Sequence, residues 1–320
     1  METFFLGYRD PLVGLIVFFA LIFIIAFFSY WWALYQSKRQ FRKIDRFFRR
    51  FESRSDTSEE HKALLQLVEA YERSGDYEEA IALLRKLRTD YDIEENLRIL
   101  QRIGDLYLRA GFLERSKGIY EQILQITPRN IPVLENLLVV EELLGDFEGC
   151  FDVLESLEEL KDVKKERGYI EARYRARKGD VEGLIGLYER GMSKRSALER
   201  LFSLDTRKAW EVVREEDLPL IVDVLWYLPK EKIALHSPYL KELYSAKGYV
   251  NEAKSSAVFE FDLLLHYPKA DLEFEYLCTS CKKRFPLYFG RCPNCRDVES
   301  MIVETQIVKK ERNIEESLSI

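Results

Sequence analysis

Four of the five cysteines fall in one short stretch, as Cys278-x2-Cys281-x10-Cys292-x2-Cys295. Two cysteines separated by two residues can turn their sulfurs toward one point. Two such turns, joined by a short hairpin, supply four thiolates at ~2.3 Å from a single tetrahedral metal ion. The chemistry on offer is therefore metal binding, with zinc favoured and iron the alternative. Paired CxxC spacing of this kind suggests a reducing compartment, so a disulfide framework is the poorer reading. Pro293 preorganises the second turn. Four thiolates on a divalent ion leave a formal charge of about −2, and Lys282, Lys283, Arg284, Arg291 and Arg296 stand close enough in sequence to offset it. Strands flank the cysteines, around Leu272–Cys278 and Ser300–Val308.

The elements that must carry this site lie upstream, and they repeat. Tyr71 opens YERSGDYEEAIALL, Tyr107 opens YLRAGFLERSKGIY, Glu141 opens EELLGDFEGCFDVL and Arg175 opens RARKGDVEGLIGLY. The glycines stand at Gly75, Gly111, Gly145 and Gly179, spaced by 36, 34 and 34 residues. A glycine ends the first helix of each unit where the chain reverses. A small residue five positions on (Ala80, Ser116, Cys150) lets the second helix approach closely, while the fourth copy has Leu184. Cys150 is thus read as a buried small residue. The pattern weakens after Arg190 and returns at Gly248, about two periods beyond Gly179. A period near 34 residues resembles the tetratricopeptide repeat (TPR) family, and Pro128 matches the proline that closes a unit there. Six helix pairs are expected over 60–268, the fifth degenerate. Such pairs stack into a solenoid whose concave face binds protein partners. That face is expected to include Arg98, Gln101, Asp105 and Leu108 in the second unit, and Glu166, Tyr169, Arg173 and Ala176 in the fourth.

The N-terminal residues read differently. The 23 residues from Leu12 to Leu34 carry no charge and would span ~34 Å as a helix. Tyr30, Trp31, Trp32 and Tyr35 form an aromatic belt at one end, followed by eight basic side chains between Lys38 and Arg54. The expectation is a single-pass anchor over 1–37 in the inner (cytoplasmic) membrane, with the N-terminus outside and the body on the cytoplasmic side. A basic amphipathic neck over 38–59 would touch anionic inner-leaflet lipid. The metal module occupies 269–308 and a tail 309–320. The fold class is then all-α, a TPR-like helical-hairpin solenoid. To it are added one transmembrane helix and a small rubredoxin-like or zinc-ribbon β module.

Charge narrows the function. Residues 1–54 carry about +5 and the rest about −11. A body that acidic excludes nucleic acid as a partner. The chain has no HExxH, Walker-type glycine loop or GxSxG elbow and only three histidines, so it is read as non-enzymatic, with no catalytic residues. The order of span, repeats and terminal four-cysteine module resembles the lipopolysaccharide assembly protein B family. That resemblance implies an adaptor that regulates lipid A synthesis by presenting its committed-step deacetylase to a membrane-bound AAA+ protease. It also implies Cys278, Cys281, Cys292 and Cys295 as the metal ligands. Two alternatives are a rubredoxin-like electron carrier and a general TPR scaffold or chaperone for membrane assembly. Rubredoxin knuckles favour glycine after the second cysteine, where Lys282 and Arg296 stand, and the tryptophan expected after the last cysteine is replaced by Asp297 and Val298. The missing glycines weigh against the backbone tuning that an electron carrier needs. Oligomeric state is left open.

Overall fold

A computed structural model describes residues 17–19, 21–25, 27–28, 57–87, 92–267 and 269–310. The short stretches near the N-terminus are helical, with exposed apolar side chains such as Phe23. Among the described residues no helix is long and apolar enough to cross a membrane. A span needs roughly 20 continuous apolar residues to cover the hydrocarbon core, and the described helix lacks that run. This overturns the expected single-pass anchor, and with it the inner-membrane location and topology. The basic neck over 38–59, apart from 57–59 at the start of α1 (Thr57–Ser74), and the tail over 309–320, apart from 309–310, lie outside the described residues.

The chain divides into two compact units, 1–99 and 100–320. The first holds α1 (Thr57–Ser74) and α2 (Tyr77–Leu87), a hairpin whose α2 face buries Ala80, Ile81, Leu83, Leu84 and Leu87. The unit boundary falls inside α3 (Ile93–Arg109). The second unit continues with α4 (Leu113–Ile126), α5 (Ile131–Leu144), α6 (Phe147–Glu158), α7 (Lys164–Lys178) and α8 (Val181–Glu189). This is a TPR-like helical solenoid in its element order.

The turns explain the period. α5 ends at Gly145, left-handed at φ 74°, with the Gly145 and Asp146 N–H groups donating back to Glu142 and Glu141 carbonyls. The next residue starts the next helix: the Asp146 carboxylate accepts from the Gly149 N–H at 3.0 Å. Asp180 repeats this at Gly183, at 2.8 Å. A Gly-Asp pair thus ends one helix and caps the next with no spacer. These N–H groups hold both carboxyls below the ordinary carboxylate range. The caps are therefore at full strength above that range and are lost as pH falls through and below it. The small residues sit where the helices touch. Ser116 is fully buried and donates its hydroxyl to the Gly104 carbonyl at 2.9 Å. Cys150 is also fully buried, and burial followed by the nearby Glu142 and Glu141 pushes its thiol up to about 12, so it stays protonated and inert.

Beyond α8 the hairpins become irregular. α9 (Lys194–Leu204) and a short α10 (Thr206–Val212) lead into a 3-10 turn, Glu215–Ile221, containing Pro219. Then come α11 (Val222–Trp226), α12 (Pro238–Ala246) and α13 (Phe259–His266). Gly248 does reverse the chain, but 251–258 is not helical. Polar side chains capture the backbone there: the Ser245 hydroxyl accepts from the Glu252 and Ala253 N–H groups, and Asp262 accepts from Ser256. Such local bonds compete with the helical ladder.

A three-stranded antiparallel sheet closes the described chain, in the order β2 (Arg284–Phe285), β1 (Ala270–Cys278), β3 (Met301–Lys309). β1 alternates. Ala270, Leu272, Phe274, Tyr276 and Cys278 are buried, in one apolar cluster with Leu198, Leu225 and Leu240 of the helices. The sheet has no separate core. It shares that of the irregular hairpins, and the first cysteine is the last inward position of β1.

Candidate metal centre

β1 and the turn into β2 deliver Cys278 and Cys281. A loop braced by the Arg291–Val298 bridge delivers Cys292 and Cys295. The two knuckles have matching backbones. Lys282 N–H donates to Cys278 O and Arg296 N–H to Cys292 O, each at 2.9 Å. Cys278 N–H donates to Lys283 O and Cys292 N–H to Asp297 O, also at 2.9 Å. Each turn needs a left-handed residue after its second cysteine, and Lys282 (φ 60°) and Arg296 (φ 64°) take that conformation. A side chain there costs about 1 kcal/mol relative to glycine. Lys282→Gly is therefore expected to raise stability by about 1 kcal/mol in a denaturant titration, with metal content unchanged.

All four sulfurs lie within 4.8 Å of one another. Cys278 and Cys295 Sγ are 3.6 Å apart, and Cys281 and Cys292 Sγ are 3.7 Å apart. A tetrahedron with ~2.3 Å metal–sulfur bonds has an edge of ~3.8 Å, so four sulfurs at this spacing fit one ion. Burial tends to raise the Cys278 thiol. N–H groups of Cys281 and Ser280 and the Ser300 hydroxyl reverse this and bring it down to about 6, which favours the thiolate a metal requires. Cys278 and Cys292 are buried and Cys295 is exposed. Cys295 borders a cavity of about 230 Å³ between the second knuckle and α5–α7, also lined by Lys161, Arg291 and Arg296.

Four of the five basic residues expected to neutralise the thiolates have other partners. Lys283 donates to Asn294 at 2.6 Å and Arg284 pairs with Glu304 at 2.9 Å. Arg291 and Arg296 reach out of the module, although Arg291 Nη1 also donates to the Arg296 carbonyl at 2.9 Å. Arg291 Nε donates to Glu142 on α5 at 2.6 Å, and Arg296 donates to Asn136 on the same helix. Glu142 also accepts from the Tyr169 hydroxyl at 2.8 Å and from Arg173. Gly290 packs so closely on Tyr169 that an added Cβ would lie 2.4 Å from its ring. The Arg291 guanidinium also sits over the Tyr169 ring, 5.7 Å from its centroid.

A second clamp lies deeper. Arg195 on α9 donates twice to Asp223 on α11, each bond 2.6 Å, with both side chains buried. Asp223 also accepts from the Tyr276 hydroxyl of β1 at 2.8 Å. The Arg195 guanidinium stacks 4.4 Å from the ring centroid of Tyr288, which meets Tyr276 edge-on.

Tyr169 and Arg173, expected on an open concave face, are therefore engaged by Glu142 and the metal module. Asp105 likewise accepts from Tyr120 at 2.6 Å and Asn136 at 2.9 Å. Sequence reasoning missed Glu142, Asn136, Arg195 and Asp223. For Glu142 and Asp223 the signal was a carboxylate among the apolar positions of a helix, within LLVVEELL and LIVDVLW; Asn136 and Arg195 carried none.

The tetratricopeptide repeat family matches residues 62–92. Lipopolysaccharide assembly protein B of Escherichia coli (strain K12) is 25% identical over 131 residues, which is 40% of this chain and 33% of that protein. The same protein from Escherichia coli O157:H7 matches equally. The match thus spans about a third of the length of these curated relatives. Among solved structures, that of MamA is 16% identical, covering 55% of this chain and 97% of that one at a TM-score of 0.38. A tetratricopeptide repeat protein from Parabacteroides merdae is 16% identical, covering 65% and 98%, at 0.37. Residues 62–92 thus resemble a tetratricopeptide repeat, and the chain is similar to lipopolysaccharide assembly protein B over 131 residues.

Proposed function

We propose that this TPR-like protein, similar to lipopolysaccharide assembly protein B, is a non-enzymatic adaptor in lipopolysaccharide assembly. It brings the committed-step deacetylase of lipid A synthesis to an AAA+ protease. The observation that carries this reading is the 131-residue similarity on a chain whose body is helical hairpins. Helical hairpins of this kind supply extended protein-binding surface without reacting groups. The four cysteines act structurally: Cys278, Cys281, Cys292 and Cys295 hold one zinc ion. When bound, the ion ties β1 to the second knuckle, which lets Gly290, Arg291 and Arg296 reach α5 and α7. The protein's own contribution is to keep three of its hairpins and the module at fixed positions for a partner.

Affinity capture of the tagged full chain from its own cells, followed by mass spectrometry, tests this. Recovery of an AAA+ protease together with a lipid A deacetylase is the expected result. Recovery of a reductase instead, with a red iron-loaded protein, would replace the adaptor by an electron carrier. A colourless protein with one zinc per chain is expected.

A further inference from the structure

We infer that two copies of this chain pair edge to edge through β3, about a two-fold axis at Thr305. β3 is the outer strand of the sheet, hydrogen-bonded on one side to β1. Lys310 N–H donates to Lys269 O and Thr279 N–H to Ser300 O. These two contacts fix the parity of the ladder: even-numbered residues of β3 bond to β1, and odd-numbered ones point their N–H and C=O groups away. Met301, Val303, Thr305, Ile307 and Lys309 therefore present five donors and five acceptors along the free edge, with no backbone partner among the described residues.

Exposed edges of this length are normally blunted by proline, a bulge or several charges. From Ile302 to Val308 there is no proline, the register with β1 is unbroken, and the one charge is Glu304. A second copy satisfies this edge, because the strand is complementary to itself when reversed. Centring an antiparallel pair on Thr305 sets odd residues against odd, so outward groups meet outward groups. Val303 then faces Ile307 of the copy and Thr305 faces Thr305, on the side of the sheet that covers the core. On the outer side Ile302 faces Val308, and Glu304 faces Gln306. Apolar meets apolar and threonine meets threonine, each Thr305 hydroxyl donating to Glu260 of its own copy at 2.9 Å, and along the two strands no like charges stand directly opposite, the combination that stabilises cross-strand pairs. The contact is isologous and closes at two copies, giving a continuous six-stranded sheet.

Sedimentation equilibrium of the purified full chain over a concentration series tests the pairing, using a residue that touches no core. Gln306 is exposed. Gln306→Glu sets two carboxylates opposite Glu304, once on each side of the axis, and is expected to weaken the dimer roughly five-fold. Gln306→Lys sets two opposite charges there and is expected to tighten it by a similar factor. Thr305→Pro removes an outward N–H that β1 does not use and is expected to weaken the dimer at least about ten-fold. A chain that stays monomeric throughout the series overturns the inference. So does self-association indifferent to the sign of the charge at 306, which would assign the contact to another surface. Should Thr305→Pro also lower the melting temperature, the opposed Gln306 variants decide the matter alone.

Discussion

Exchanging both Cys292 and Cys295 for serine is expected to release the metal and unfold residues 270–310 of an otherwise expressed chain. Structural zinc held by four thiolates is worth ~10–16 kcal/mol of apparent folding free energy in small modules. Within the module the second knuckle has only one isolated bridge, between Arg291 and Val298, short turn bonds and the Lys283–Asn294 and Ser280–Asp297 contacts, and its grip on α5 through Arg291 and Arg296 depends on the knuckle keeping its shape. Loss would spread inward, because Leu272, Phe274 and Tyr276 are part of the same buried cluster as Leu198, Leu225 and Leu240. Metal content by native mass spectrometry should fall from one ion to none. Hydrogen exchange at the β1 and β3 amides should rise by orders of magnitude. A strong chelator should do the same to the unmodified chain. Wild-type protection of β1 and β3 after complete metal loss would remove the structural role assigned to the ion.

Asp223→Ala should be the most damaging single substitution in the helical part. Removing one member of a buried ion pair leaves the other charge without a partner and costs ~3–5 kcal/mol. Asp223 is engaged three times, by the two nitrogens of Arg195 and by the Tyr276 hydroxyl. A drop in melting temperature on the order of 10 °C is expected for a unit of this size. Tyr276→Phe is the control. It removes one of the three bonds, leaves the ion pair intact, and should cost about 1 kcal/mol. Equal costs for the two substitutions would mean that the bond Arg195 already makes to the Leu220 carbonyl suffices for its charge.

Much of the helical part was legible because its signals are local. A Gly-Asp pair fixes a left-handed cap and an N-cap within two residues, so the spacing of Gly145 and Gly179 already gives the hairpin period. The fourth copy kept its turn although Leu184 replaced the small residue, since Leu184 still fits there fully buried. The region after Gly248 misled because the glycine predicts only the turn. Whether a helix follows depended on Ser245 and Asp262 taking the backbone N–H groups of 252, 253 and 256. The run of apolar residues near the N-terminus met the composition of a membrane span, but no described helix has the length to be one.

The candidate site divides the same way. Residue types and spacing alone determined that Cys278, Cys281, Cys292 and Cys295 can converge, since each pair lies within one turn of backbone. They also determined that Lys282 and Arg296 would occupy the left-handed positions. What the cysteine module is attached to was decided only in three dimensions. Arg291 meets Glu142 across 149 residues of sequence, Arg296 meets Asn136 across 160, and Tyr276 meets Asp223 across 53. Nothing in the local pattern distinguishes an arginine that shields a thiolate from one that grips a distant helix. That choice follows from which surfaces the shared apolar core draws together, and charge pairing at their boundary then completes it.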